Sequence, residues 1–199
     1  MSDETASVPQ NSPAQPRRKA VFLDRDGTIN VDRYYLSDPA QLELYPGTAE
    51  ALRRLMAAGY LLIVVTNQSG IGRGYYTEAD MHRVNDRMIE WLSVDGISFD
   101  KIYYSPEAPE SPSRGRKPSP QFLFDAREEF GIDLAQSYMV GDKLIDLETG
   151  WNAGCAGSIL VRTGYGAETE RKNPAIAGRA FVADGLPGAV DWILRSSAK

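Results

Sequence analysis

The chain has 199 residues, of which 42% are hydrophobic, a formal net charge of −5 and a single cysteine. This length and composition suffice for one hydrophobic core and are short for two. The acidic charge disfavours a nucleic-acid partner, no apolar run approaches the roughly 18 residues of a membrane span, and one cysteine excludes a disulfide framework or a multi-cysteine metal cage. We therefore expect a monomeric, cytoplasmic protein with no nucleic-acid or membrane partner.

The first 18 residues are rich in Ser, Pro, Gln and Ala and contain little that could be buried. Such a composition cannot offset the entropy of ordering a chain, so we predict a disordered tail over residues 1–18. The remainder, residues 19–199, is predicted to form a single domain.

The first predicted element is a short apolar strand at residues 20–23, which runs directly into Asp24 and Asp26. An i, i+2 spacing puts both carboxyl groups on the same side of an extended chain. Because neighbouring carboxylates repel, a divalent cation is the natural way to keep both ionised. Asp, Gly and Thr are also ordinary turn residues, so a simple surface turn is the alternative explanation.

Strands and helices alternate along the rest of the chain. A loop over residues 30–44 is expected to lie at the mouth of a site. Strands are predicted at 61–65, 99–104, 137–140 and 158–161, and helices at about 48–58, 77–93, 120–130 and 186–194, with a short helix before Gly154. This alternation predicts an α/β fold with a doubly wound parallel sheet, in which sites lie beyond the carboxyl ends of the strands.

Polar side chains occur where several of these strands end. Thr66 and Asn67 follow the second strand, and Asp142 follows the fourth, with Asp146 one helical turn further on. Lys117 precedes Pro118, which disfavours a helical backbone and keeps the lysine in a loop. Each feature alone has an ordinary explanation, such as a polar strand exit, a solvated lysine or a charged helix start. Their common position relative to the predicted sheet favours a site for a phosphorylated ligand.

The run Asp-Arg-Asp-Gly-Thr at residues 24–28 resembles the DxDGT signature of the haloacid-dehalogenase-like phosphohydrolases, and the later motifs occur in that family's order. The resemblance implies a Rossmann-like core in which Asp24 is the nucleophile and Asp26 the general acid/base. It further implies that Thr66 and Lys117 bind the phosphoryl group. The implied Mg²⁺ ligands are Asp24, the backbone carbonyl of Asp26 and Asp142, with Asp146 supporting them from behind.

Longer matches at residues 23–32, 65–71, 73–74, 116–118 and 139–143 resemble the heptose-bisphosphate phosphatase family, to which the histidinol-phosphatases are near relatives. This resemblance covers about residues 20–190 and implies a core without a cap domain. The implied activity is Mg²⁺-dependent removal of the 7-phosphate of D-glycero-D-manno-heptose 1,7-bisphosphate. The implied contacts to this small phosphorylated sugar are Asp32, Arg33, Tyr34, Tyr35, Thr66, Asn67, Gln68, Ser69, Arg116, Lys117 and Lys143.

Three other functions stay open at this point. A histidinol-phosphatase, or a phosphatase of another small phosphometabolite, would use the same motifs. A non-catalytic phosphosugar-binding module is disfavoured by the intact pair of aspartates, and a polynucleotide 3′-phosphatase is disfavoured by the acidic charge.

The chain departs from the family pattern in one loop. Members of the family usually carry a zinc loop, C-x-H followed by C-x-C, between the third strand and the motif lysine. At those positions this chain has Ser105, Glu107, Ser113 and Gly115. These four residues are not a credible set of zinc ligands, so we predict that no structural zinc is bound.

Overall fold

The computed structural model describes residues 17–197 and contains a single six-stranded sheet. Every neighbouring pair of strands is parallel, and the spatial order is β3-β2-β1-β4-β5-β6. The strands are β1 (Lys19–Leu23), β2 (Tyr60–Asn67), β3 (Lys101–Ser105), β4 (Tyr138–Gly141), β5 (Gly157–Val161) and β6 (Phe181–Ala183). The chain thus winds outward from β1 in one direction and then from β4 in the other.

Helices cover both faces of this sheet. They are α1 (Thr48–Ala57), α2 (Ser69–Gly72), α3 (Glu78–Ser93), α4 (Gln121–Phe130), α5 (Leu144–Ala153), α6 (Gly166–Lys172) and α7 (Leu186–Ser196). Because successive side chains of a strand point to opposite faces, β1 contributes Val21 and Leu23 to the core beneath α1, α3 and α7. It contributes Ala20 and Phe22 to the core beneath α4. Continuous apolar strands are what a parallel sheet covered on both faces requires.

The topology fixes where a site can form. The strand order reverses between β1 and β4, and at such a switch point the loops after the two strands diverge and leave a crevice. In each interval between consecutive strands, the described chain holds helices, short 3₁₀ turns and loops and no second domain. The predicted α/β doubly wound sheet without a cap domain is confirmed.

Three short elements were not predicted: α2, α6 and β6. Residues 1–16 of the predicted tail lie outside the described residues, whereas the backbone N–H of Arg18 donates to the carbonyl of Gly131 at 3.0 Å. Among residues 17–197 no helix is both long and apolar enough to cross a bilayer.

Candidate active site

Two buried aspartates meet at the switch point. Asp24 directly follows β1, and its backbone N–H donates to the carbonyl of Val140 in β4 at 2.9 Å. Asp142 directly follows β4 and is fully buried. Gly27 lies against Asp142: its φ of 89° is in the left-handed region, and its missing Cβ leaves the space that the Asp142 carboxylate occupies. A side chain at position 27 would clash with that carboxylate.

A third carboxylate completes the cluster. Asp146 lies in the first turn of α5, and its Oδ2 accepts a hydrogen bond from the Lys143 backbone N–H at 2.9 Å. One carboxylate oxygen each from Asp24, Asp142 and Asp146 lies within 4.8 Å of the others. Burial, followed by the neighbouring carboxylates, raises the pKa of Asp142 to about 8, and burial raises the pKa of Asp24 to about 6. The site therefore concentrates negative charge that needs a cationic partner.

Lys117 supplies one such cation. Its side chain is 1% exposed, and its Nζ lies 2.7 Å from Asp24 Oδ1 and 2.6 Å from Asp146 Oδ1. Burial alone would lower the pKa of Lys117, but Asp146 and Asp24 raise it above the ordinary value, so the ammonium stays charged. A solvated surface position, the ordinary explanation for Lys117, is therefore wrong: the side chain is buried between two carboxylates.

The donor set fits a hard divalent cation. Asp142 Oδ1 is buried and has no hydrogen-bond partner among the described residues. Such an orphaned carboxylate oxygen is costly unless a ligand satisfies it. Carboxylate oxygens are the ligands that Mg²⁺ prefers, so Asp24 and Asp142 are suited to hold it.

The carboxylate of Asp26 is held by a separate network that includes a fully buried arginine. Arg25 Nη2 and Nε donate to its two oxygens at 2.8 and 3.2 Å, Asn30 Nδ2 donates at 2.9 Å and Gln68 Nε2 at 3.0 Å. The guanidinium is anchored in turn by Asn85 Oδ1 on α3, at 2.8 Å from Arg25 Nη1. Burial would raise the pKa of Asp26, but Arg25 and the hydrogen bonds outweigh it and lower the pKa.

Sequence reasoning missed Arg25 and Asn85 as parts of the site. Both are almost completely buried, at 0% and 4% exposure. The position of Arg25 between the two motif aspartates was the available signal for the arginine. No signal linked it to Asn85, which lies 60 residues further along the chain.

A small cavity of about 70 Å³ opens onto the carboxylate cluster. It has room for a phosphoryl group but not for a whole sugar phosphate. Residues that sequence reasoning assigned to the site supply most of its walls: Asp24, Asp26, Asp32, Tyr34, Thr66, Asn67, Lys117, Lys143 and Asp146. A larger ligand would therefore have to extend across the loops at the mouth.

Lys143 and Asp32 face each other at one side of this mouth. Lys143 Nζ lies 3.2 Å from Asp32 Oδ2 and 4.8 Å from the centre of the Tyr165 ring. Tyr34 lies edge-on to the same ring, is 79% exposed and has a φ of 65°. Tyr165 was not among the predicted site residues.

The other predicted contact residues lie around the site rather than in the cavity. Arg33 is paired with Glu43 at 2.5 Å on the surface. Tyr35 packs against Tyr75, with ring centres 4.7 Å apart. Gln68 belongs to the Asp26 network, Ser69 begins α2, and Arg116 donates from Nη1 to the backbone carbonyl of Glu107 at 3.2 Å.

A larger cavity of about 550 Å³ lies elsewhere, beside β6 and the start of α7. One of the two arginines on its wall, Arg162, is already paired with Glu170 and Asp184, each at 2.7 Å. None of the clustered carboxylates lines it, so the chemistry of the residues favours the smaller cavity.

Comparisons with known proteins agree with this geometry. A family model described as HAD-hydrolase-like matches residues 115–189. D-glycero-beta-D-manno-heptose-1,7-bisphosphate 7-phosphatase from Salmonella typhi is 41% identical over 187 residues, covering 90% of this chain and 91% of that relative. The same-named protein of Escherichia coli K12 is 40% identical, with 90% of both chains covered.

Solved structures give the same result. The D,D-heptose 1,7-bisphosphate phosphatase from B. bronchiseptica, complexed with magnesium and phosphate, superimposes with a TM-score of 0.81 at 32% identity, covering 89% of this chain and 99% of that one. The corresponding phosphatase from Burkholderia thailandensis gives a TM-score of 0.66 at 33% identity over the same shares of the two chains. The chain belongs to the haloacid-dehalogenase-like hydrolases and, within them, to the family of the heptose-bisphosphate 7-phosphatases.

Proposed function

We propose that this protein is a Mg²⁺-dependent phosphatase that removes the 7-phosphate of D-glycero-D-manno-heptose 1,7-bisphosphate. The observation that carries the proposal is the buried cluster of Asp24, Asp142, Asp146 and Lys117 at the switch point of the sheet. The names of the relatives at about 40% identity support the choice of substrate. The product would feed the synthesis of activated heptose for lipopolysaccharide, capsule or glycoprotein, in the cytoplasm.

Asp24 is proposed as the nucleophile. One of its carboxylate oxygens forms a bond to phosphorus as the bond between phosphorus and the 7-oxygen of the sugar breaks, which gives an aspartyl-phosphate and a sugar alkoxide. The burial of Asp24 keeps water from competing for this position. Lys117 Nζ, already at 2.7 Å from the carboxylate, can stabilise both the nucleophile and the incoming phosphoryl oxygens.

Asp26 is proposed as the general acid and base. It would give a proton to the departing 7-oxygen, and its carboxylate would then take a proton from the water that attacks the aspartyl-phosphate, releasing phosphate and restoring Asp24. A carboxylate has about four acceptor positions, and four protein donors already occupy them in Asp26. These contacts and the lowered pKa favour the ionised form, so Asp26 has to take up a proton and exchange one contact for the leaving oxygen before it can act as the acid.

Mg²⁺ would be held by Asp24, the backbone carbonyl of Asp26 and Asp142. Asp146 would support these ligands without binding the ion itself. When bound, Mg²⁺ supplies positive charge that lowers the repulsion among the carboxylates and the phosphoryl oxygens. Thr66 and Asn67 are proposed to receive phosphoryl oxygens at the end of β2. Asn67 also fixes Lys117, because its side chain accepts from the Lys117 N–H at 3.0 Å and donates to the Lys117 carbonyl at 3.2 Å.

The rest of the sugar is proposed to lie across the mouth, between two groups of residues. Lys143, Asp32 and Tyr34 lie at one side of the cavity. Arg116 belongs to the loop that precedes Lys117. A cavity of about 70 Å³ with ligand-binding residues on the surrounding loops is the arrangement expected when no separate domain covers the substrate.

The test is phosphate release by the purified chain with Mg²⁺, comparing heptose 1,7-bisphosphate, histidinol phosphate and a panel of small phosphorylated metabolites. We expect the bisphosphate to have the highest kcat/KM and the Asp24→Asn variant to release no phosphate. A preference for histidinol phosphate would replace the proposed substrate with that alternative. Binding without release for every compound would identify a non-catalytic phosphosugar-binding module instead.

A further inference from the structure

A glutamate on the loop between β3 and α4 joins two distant serines. Glu107 Oε2 accepts a hydrogen bond from Ser105 Oγ at 2.6 Å and another from Ser113 Oγ at 2.9 Å. The two hydroxyl oxygens are themselves 3.2 Å apart. Ser105 is the last residue of β3 and is 1% exposed, so this serine–glutamate trio ties the loop to a rigid part of the sheet.

The charge of Glu107 determines which atoms donate and which accept within the trio. An ionised carboxylate can only accept, so both serine hydroxyls donate their protons to Glu107. The Ser113 oxygen is then left as an acceptor, and the backbone N–H of Arg116 donates to it at 3.1 Å. Arg116 also donates from Nη1 to the carbonyl of Glu107 at 3.2 Å. Backbone and side chain of Arg116 are therefore both fixed by members of the trio.

Lys117, the next residue, is held by other means. Its backbone is fixed by the side chain of Asn67, and its ammonium by Asp24 and Asp146. Arg116 and Lys117 are thus held in place by two separate sets of contacts. Weakening the trio should displace Arg116 while the lysine keeps its place in the carboxylate cluster.

Arg116 also has a cationic neighbour. Burial and the nearby Arg73 guanidinium lower the pKa of Arg116, whereas Glu107 and Glu110 raise it. The backbone of the loop that carries Arg73 is attached to this segment, since the N–H of Gly72 donates to the carbonyl of Pro106 at 2.8 Å. The guanidinium of Arg116, fixed beside the residue that lines the phosphate site, is suited to bind a second anionic group.

We propose that Glu107, together with Ser105 and Ser113, is a positioning residue that sets Arg116 to bind the second phosphate of a bisphosphorylated substrate. This inference rests on the proposed function, because it assumes that the substrate carries a phosphate remote from the one that is removed. Glu107 acts through Arg116 and does not itself contact the reacting atoms.

The kinetic test compares Glu107→Ala with two other variants in the full chain with Mg²⁺. We expect Glu107→Ala to raise KM for heptose 1,7-bisphosphate by about tenfold and to change kcat by less than about twofold. KM for the 7-monophosphate, which lacks the second anionic group, should not change. Glu107→Gln keeps an oxygen that can accept from both serines and should restore most of the affinity.

The matched control is Glu110→Ala, which removes the same charge from an exposed position three residues away. If this variant raises KM as much as Glu107→Ala, loss of general negative charge explains the result and the positioning role is wrong. The positioning role would also be wrong if Glu107→Ala raised KM equally for the bisphosphate and the monophosphate, or if it lowered kcat without changing KM.

A second measurement does not depend on the identity of the substrate. Hydrogen exchange at the Arg116 backbone amide should be faster in Glu107→Ala and in Ser113→Ala than in the wild-type chain, and unchanged in Glu110→Ala. Unchanged exchange in the first two variants would overturn the positioning role whatever the kinetics. A wild-type enzyme that does not prefer the bisphosphate, combined with faster exchange in these variants, would count against the proposed substrate and leave the trio's support of Arg116 standing.

Discussion

The ammonium of Lys117 and the carboxylate of Asp146 form a fully buried ion pair at 2.6 Å, and neither side chain is more than 1% exposed. The pair joins the loop after β3 to the first turn of α5, so segments that follow strands from opposite halves of the sheet meet over the end of β1. A buried charge pair is strongly destabilising when one partner is removed, because the other charge stays buried without compensation.

The first prediction concerns Lys117. We expect Lys117→Met to lower kcat by about a hundredfold or more, because one preorganised charge at the phosphoryl group is typically worth about 3 kcal/mol of barrier. The melting temperature should also fall, and Mg²⁺ should restore part of it without restoring turnover. Lys101→Met is the control, since Lys101 pairs with Glu129 on the surface. Near-normal turnover in Lys117→Met would refute the proposed role.

The second prediction concerns the metal ligands. Asp142→Asn keeps the shape of the side chain and removes one charged ligand, so we expect the affinity for Mg²⁺ to fall by at least about tenfold in calorimetric titrations. Asp95→Asn removes a charge from an exposed position and should leave the affinity unchanged. Equal affinities for Asp142→Asn and the wild type would show that Mg²⁺ binds elsewhere.

The third prediction concerns zinc. Ser105, Glu107 and Ser113 satisfy one another by hydrogen bonds, and Gly115 packs beneath the ring of Phe122, where a Cβ would have no space. We therefore expect purified protein to contain no stoichiometric zinc. A strong zinc chelator should leave the melting temperature and the Mg²⁺-dependent activity unchanged. Metal analysis that finds one zinc ion per chain would contradict this prediction.

The fourth prediction concerns pH. The hydrogen bond from Ser105, with smaller help from Ser113 and Arg116, lowers the pKa of Glu107 below its usual range. The unfolded chain therefore binds this proton more readily than the folded chain, so the contribution of Glu107 to stability is present above its unfolded-state pKa of about 4.3. It is lost as the pH falls through the lower pKa of the folded state.

Urea unfolding of the wild type and Glu107→Gln at several pH values measures this contribution. We expect the wild type to be the more stable at neutral pH and the difference to shrink in acid. If the difference in free energy of unfolding between the wild type and Glu107→Gln stays constant from neutral to acid pH, the charge of Glu107 does not stabilise the trio.

The main strands could be predicted because they are continuous apolar runs, as in β2, and a parallel sheet covered on both faces requires such runs. The missed elements lack that signal. β6 has only three residues, Phe181–Ala183, and α6, Gly166–Lys172, is almost entirely polar. Both β6 and α6 are stabilised by neighbouring elements, and neither segment has a periodic hydrophobic pattern from which it could be predicted.

The same limit applies to the site. The proximity of Asp24 and Asp142 could be predicted because each follows a strand, and parallel strands end at one edge of the sheet. Arg25 was missed although it lies between Asp24 and Asp26, because arginine is rarely buried without partners and its partner Asn85 comes from a distant helix. Gln68 was predicted to contact substrate, and the structure shows that its amide also belongs to the network around Asp26.

The strand order has a consequence for the newly made chain. β1 is central in the finished sheet, but its neighbour on one side, β4, is separated from it in sequence by β2 and β3. As the chain leaves the ribosome, β1 can pair with β2 while its other edge stays open until residue 141 has emerged. An unpaired apolar edge is a template for pairing with other chains. We expect chains arrested before β4 to aggregate or recruit chaperones, and chains arrested well beyond it to do so much less.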